Sequence, residues 1–85
     1  MFYVYILLCK DSTLYVGSTN NLEKRLKEHN TSKSGAHYTK IRRPVTLQYH
    51  EVCDTYAIAR AREAEIKRLT REKKLKLIES KPWLS

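Results

Sequence analysis

Apolar and polar positions divide the chain into segments of different period. Residues 2–9, FYVYILLC, are almost continuously apolar and rich in β-branched and aromatic types, which predicts a strand covered on both faces. KDST at 10–13 supplies turn chemistry, and LYVGS at 14–18 resumes as a second, short strand. Strands joined by so short a polar turn predict an antiparallel hairpin. Thr19 or Asn20 is then placed to cap a helix with Leu22 and Leu26 as its buried stripe and Asn30 as its stop.

From Thr31 to Pro44 the chain is polar, contains Gly35 and Pro44, and holds neither period, so it reads as a loop. VTLQYHEVC at 45–53 alternates, which puts Val45, Leu47, Tyr49 and Cys53 broadly on one face of a third strand. Asp54 or Thr55 caps a long helix to about Leu69, with Ile58, Ala61, Ile66 and Leu69 as its apolar arc. TREKKLKLIES predicts a last short helix starting at Thr70, and Pro82 breaks the chain beyond it. The order β-β-α-β-α-α predicts an α+β fold in which helices flank a three-stranded antiparallel sheet. Residues 1–85 are enough for a single domain.

Composition adds partners to this picture. Hydrophobic content of 41% and charged content of 31% are globular values, while 17 Lys and Arg against 9 Asp and Glu leave a net charge of +8. That excess points to a polyanionic partner, nucleic acid first. Lys33, Lys40, Arg42 and Arg43 lie in the polar stretch with no acid among them, and Lys67 belongs to a second basic run between Arg60 and Lys76. The longest apolar run, Val4 to Cys9, is too short to cross a bilayer and has no basic segment or cleavage site before it, so no membrane association or processing is expected. Cys9 and Cys53 have no metal-ligand spacing and read as free thiols, which predicts a reducing, cytoplasmic location. His29, His37 and His50 do not cluster at zinc spacing.

Taken singly, the candidate chemical residues have ordinary readings. Tyr5 and Tyr15 fall on neighbouring strands, as cross-strand aromatic pairs do. Gly17 serves either a bend or a close approach of backbone to phosphate. Arg25 and His29 are four apart on one helix face, where Arg25 can pair with Glu28 and His29 suits a helix C-terminus. Glu63 and Lys67 form an (i, i+4) pair. On a helical wheel Glu65 falls inside the apolar arc and Glu63 at its edge, so pattern favours Glu65 as the unusual carboxylate without deciding between them.

Read together, YVYIL at 3–7, LYVG at 14–17 and NLEKRLKEHN at 21–30 resemble the GIY-YIG nuclease superfamily, closest to its small, single-domain bacterial members. YTKIRRPVTLQYHE at 38–51 and AREAEIKRLTREKKLKLI at 61–78 resemble the same subgroup, so the similarity covers nearly the whole chain. Tyr3-Val4-Tyr5 stands for GIY and Tyr15-Val16-Gly17 for YIG. The resemblance implies catalytic roles for Tyr5, Tyr15, Gly17, Arg25 and His29. Through REAEIKRL it implies Glu63 as the metal-binding glutamate, against the wheel's preference, with Mg²⁺ or Mn²⁺ as cofactor. The first glycine of GIY is Tyr3 here, Ser18 stands where the excision-repair members carry lysine, and their later asparagine has no clear counterpart after Glu63. The implied function is a metal-dependent endonuclease hydrolysing nucleic-acid phosphodiesters, DNA first, in repair or recombination. The alternative is a nucleic-acid-binding module that keeps the fold with weak or no catalysis. A chain this short leaves no room for a targeting domain, so targeting is expected from a partner protein, self-association or the basic face.

Overall fold

The structure, a computed structural model, describes residues 1–31 and 37–80. In chain order the elements are β1 (Phe2–Cys9), β2 (Leu14–Thr19), α1 (Leu22–Thr31), α2 (His37–Lys40), β3 (Val45–Cys53), α3 (Tyr56–Lys67) and α4 (Arg71–Glu79). The strands form one antiparallel sheet in the order β2-β1-β3, giving the expected α+β architecture. The one-turn α2 lies inside the stretch read as loop. Lys33 and Pro82 lie outside the described residues.

The central place of β1 explains its unbroken apolar run, since both of its faces are covered. Val4, Ile6, Val16, Tyr49 and Cys53 pack with Ala59, Ile66 and Ile78 of α3 and α4. Tyr5, Leu7, Cys9 and Val45 form the opposite face, against Leu22 and Leu26 of α1. The β1–β2 turn is tied by Asp11, whose Oδ1 accepts from the Thr13 amide at 3.1 Å and its hydroxyl at 2.6 Å. Ser12 there takes φ 70°, the left-handed conformation that closes the turn.

Local details depart from the sequence pattern for identifiable reasons. The cap of α1 is Asn21 rather than Thr19 or Asn20. Its Oδ1 accepts from the Lys24 amide at 3.1 Å, and the Thr19 hydroxyl instead receives the Asn21 amide at 3.1 Å. Thr55 caps α3 and Thr70 caps α4, as their positions predict. In β3 the alternation fails in mid-strand: Ile6 pairs with Tyr49 but Leu7 pairs with Leu47, so Gln48 is a bulge residue. One extra residue reverses every later side chain. Val45 and Leu47 therefore face α1, while Tyr49 and Cys53 face α3 and α4.

The arc of α3 is rotated from the apolar one. Ala59 and Ile66 are fully buried, Arg62 and Glu63 are half-buried, and Ile58 is 53% exposed. Arg62 reaches β3, where its Nε and Nη2 each lie 2.9 Å from a Glu51 carboxylate oxygen. The Tyr49 hydroxyl donates to the same carboxylate at 2.5 Å. A stripe ranked by hydropathy cannot anticipate a helix that places two charges toward the sheet and a large aliphatic residue outward.

The end of α1 is fixed to the start of β3 by Asn30. Its amide nitrogen donates to the Val45 carbonyl at 3.0 Å, and its Oδ1 accepts from the Val45 amide at 2.7 Å. Both half-buried backbone groups lose their partners in Asn30→Ala, which is expected to lower the unfolding free energy by about 1–3 kcal/mol in urea titration. The exposed Asn20→Ala is expected to stay within about 0.5 kcal/mol.

Candidate active site

On the α1 face of the sheet, the register sets Tyr5 opposite Gly17 and Tyr15 opposite Leu7. Tyr5 is 2% exposed, and its hydroxyl lies 2.8 Å from His29 Nε2. His29 is completely buried, with its Nδ1 2.7 Å from the equally buried Thr39 hydroxyl on α2. The His29 ring meets Tyr15 edge-on at 5.1 Å and Tyr5 at 5.8 Å between centroids. These three rings form one packed cluster.

Electrostatics keep Tyr5 and His29 neutral. Burial, followed by repulsion from Arg25, pushes the His29 pKa down to about 4. Burial, followed by the neighbouring Tyr15, pushes Tyr5 up to about 12. Arg25 is within hydrogen-bonding range of the Tyr5 hydroxyl and can only donate. The Tyr5 proton is therefore assigned to His29 Nε2, and His29 Nδ1–H to the Thr39 oxygen. This chain of donors runs from the half-buried Arg25 into the core.

Gly17 is required by proximity rather than by backbone angle. A Cβ there would lie 2.5 Å from the Tyr5 hydroxyl oxygen and 2.7 Å from its ring carbon Cζ. Tyr5 is held by His29 and cannot easily swing away. The Arg25 guanidinium also pairs with Glu28 at 3.2 Å. Burial opposes its charge, but the bonds to Glu28 and Tyr5 outweigh that and raise its pKa.

Glu63 joins this group from the opposite face. Ser18 follows Gly17, so its side chain points to the other side of β2. Its hydroxyl donates to Glu63 Oε1 at 2.6 Å. Lys67 Nζ lies 2.6 Å from Glu63 Oε2, and the Glu63 side chain is 14% exposed. Burial alone would raise the Glu63 pKa, but the hydrogen bonds from Lys67 and Ser18 and the charges of Lys67 and Arg60 lower it overall. The Glu63 charge also adds, as the smallest contribution, to the upward shift of Tyr5. Glu65, the carboxylate favoured by the wheel, is 58% exposed and sits 3.9 Å from Arg62.

The structure thus gathers Tyr5, Tyr15, Gly17, Arg25 and His29 on one side of the β2 edge and places Glu63 just across it. The basic candidates are more dispersed. Arg43 donates to the His29 and Glu28 carbonyls and so completes the C-terminal end of α1. Arg42 Nε pairs with Asp11 at 2.9 Å, Lys40 ends α2 half-buried, and Lys67 is bound to Glu63. Thr39 and Asn30 escaped the sequence reading. Thr39 lies in an aperiodic stretch with no local signal, whereas Asn30 was visible only as a helix stop. Ser18 was detectable as a departure from the family pattern.

Comparison with known proteins agrees with the geometry. The family model described as the GIY-YIG catalytic domain matches residues 1–76. A UPF0213 protein of Syntrophus aciditrophicus is 55% identical over 80 residues, covering 94% of this chain and 92% of the relative. The UPF0213 protein CPE1444 of Clostridium perfringens is 57% identical over 81 residues, covering 95% and 86%. The solution NMR structure of the UPF0213 protein BH0048 from Bacillus halodurans superimposes with a TM-score of 0.61 at 40% identity, covering 98% of this chain and 90% of that one.

Two outcomes follow from the buried cluster. Gly17→Ala must displace Tyr5 from His29, and is expected to cost about 1–3 kcal/mol in urea unfolding and to shift the Tyr5 ring resonances. His29 has a folded pKa near 4 against an ordinary 6.5, so the unfolded chain takes up a proton that the folded one refuses as pH falls through that window. Its contribution is present above 6.5 and is lost on descent toward 4, at up to about 1.4 kcal/mol per pH unit. Stability measured between pH 7 and 4 should fall less steeply in His29→Gln than in the parent.

Proposed function

Because the chain belongs to the GIY-YIG catalytic domain family of nucleases, we propose that it is a metal-dependent endonuclease that hydrolyses DNA phosphodiesters. The observation that carries this reading is the arrangement of the Tyr5–Tyr15–His29 cluster and the Arg25 guanidinium on one face of the sheet, with a semi-buried carboxylate held on β2 from the other. Binding a polyanion calls for cations alone. A lone carboxylate held among them is costly for binding and useful for chemistry.

Each residue has a role that its surroundings permit. Arg25 offers a planar fork to non-bridging phosphate oxygens. Tyr15 is partly exposed and is the tyrosine of the pair that can orient attacking water. Tyr5 stays protonated near neutral pH and presents its ring and hydroxyl from a fixed position. His29 is wholly buried and neutral, so it is a positioning residue for Tyr5 rather than a base in contact with substrate. Gly17 leaves the space that lets Tyr5 lie against β2.

The donor set also suits a divalent ion. Among the described residues no three His, Cys, Asp or Glu side chains converge, so Glu63 would act as the one protein carboxylate. Glu63 would hold Mg²⁺ or Mn²⁺ through this single carboxylate, with water and substrate phosphate as the remaining oxygen donors. When bound, the ion supplies Lewis-acid stabilisation to the phosphate and the leaving oxygen. Cys9 and Cys53 are buried free thiols in separate core clusters, which supports a reducing, cytoplasmic setting. No helix among the described residues is long and apolar enough to cross a membrane.

One observation favours the second reading, a binding module that retains the fold: both Glu63 oxygens already have protein partners. Cleavage of branched, single-stranded and duplex DNA, assayed with Mg²⁺ or Mn²⁺ and with chelator, separates the two. Glu63→Ala and Arg25→Ala are each expected to lower the rate about 10²–10³-fold. Activity that survives both substitutions, or chelation, overturns the proposed site. Salt-sensitive binding without cleavage of any of these substrates establishes the binding module.

A further inference from the structure

The two partners of the Glu63 carboxylate differ in kind. Ser18 belongs to β2, and its short neutral side chain donates from a backbone position set by the strand. Lys67 is the last residue of α3, and its side chain is 53% exposed against 14% for Glu63. Its ammonium sits on a flexible stem that can release Glu63 Oε2 into solvent without moving backbone, whereas the short Ser18 side chain keeps its hydroxyl within about one bond rotation of Oε1. The carboxylate thus has one short neutral partner and one long, exposed charged one.

A divalent ion at Glu63 needs an unprotonated, uncommitted oxygen, and Oε2 is the oxygen whose partner, Lys67, is itself largely exposed. An ammonium and a divalent cation a few ångströms apart on one carboxylate repel strongly in a site of reduced dielectric constant. We propose that Lys67 is an exchangeable internal counter-cation of Glu63, bound to Oε2 in the metal-free protein and displaced when a divalent ion takes that oxygen. This rests on the reading of Glu63 as a metal ligand. The displaced ammonium stays at the same strand edge, where it can meet a phosphate oxygen. Metal loading and polyanion binding are thereby coupled: the ion releases a cation for the substrate, and the substrate removes a competitor from the ion. The pairing of Glu63 with Lys67 then describes a resting state of the site rather than its loss.

The exchange is tested by Mn²⁺ titration of the full chain without nucleic acid, followed through paramagnetic broadening of the Ser18 and Glu63 amide resonances. Lys67→Met keeps helix propensity and stem volume while removing the competitor. Arg60→Gln removes a charge that acts on Glu63 only through space, and so gives the long-range baseline. Lys67→Met is expected to tighten Mn²⁺ about fivefold to tenfold, Arg60→Gln less than about threefold, and Glu63→Gln to abolish the localised broadening in every background. Equal tightening by Lys67→Met and Arg60→Gln overturns the exchange while leaving Glu63 as the ligand. Broadening that survives Glu63→Gln, or that no variant shows, removes Glu63 as a ligand and the exchange with it.

Discussion

The hydrogen bond between Tyr5 and His29 is the constraint on which the rest of the site depends. A phenol on the central strand and an imidazole on α1 are both buried, and each polar atom must find a partner away from water. Each supplies the other, and Thr39 supplies the second imidazole nitrogen. The consequences extend in both directions along the chain. Tyr5 can occupy its place only because Gly17 has no Cβ. Thr39 can reach His29 only because a single helical turn forms at residues 37–40 within an otherwise polar stretch. The end of α1 is then secured by Arg43 on its carbonyls and by Asn30 on Val45. Residues scattered from 5 to 45 thus act as one polar framework around a neutral histidine.

A second framework occupies the other face of the sheet and is built on charge. Helix α3 turns Arg62 and Glu63 inward between Ala59 and Ile66. Arg62 is held to β3 through Glu51, and Glu63 to β2 through Ser18. Ala59 is small enough for close approach, and its neighbours grip the two sides of the sheet. The rotation of α3 that follows from this grip exposes Ile58 and brings Glu63 to the edge strand. The location of the candidate metal ligand is therefore a packing result as much as a chemical one.

The contrast between the two faces explains what the sequence disclosed. The strands, the long helices and the sheet were legible because each carries a continuous period or a cap within a few residues. The β3 bulge was not, since Gln48 fits an alternating pattern until the partner strand reveals the slip. The face of α3 was misjudged because hydropathy ranks Ile58 above Glu63, while the actual orientation follows from the Arg62 ion pair to Glu51 and the Glu63 hydrogen bond from Ser18, 11 and 45 positions away, which no local window spans. The candidate residues were individually unremarkable. Their order and spacing matched a family, and that resemblance, rather than the wheel, pointed to Glu63. Thr39 left no trace, because its importance comes from a tertiary contact and not from its neighbours in sequence.

The net charge of +8 describes the composition, but not the surface offered to a polyanion. Arg25, Arg42, Arg43, Arg62 and Lys67 all have carboxylate or carbonyl partners within the chain. A cation already paired contributes less to counterion release than a solvated one, because phosphate must compete with its present partner. Among these five, Arg43 and Arg62 hold helices in place and leave only if the fold loosens. Arg25 and Lys67 pair instead with a carboxylate on their own helix, Glu28 and Glu63. The ion pairs nearest the candidate site are therefore local ones, each spanning one turn of its own helix. On the proposed function, a phosphate arriving at this site would compete for cations already held there, rather than meeting a uniformly basic surface.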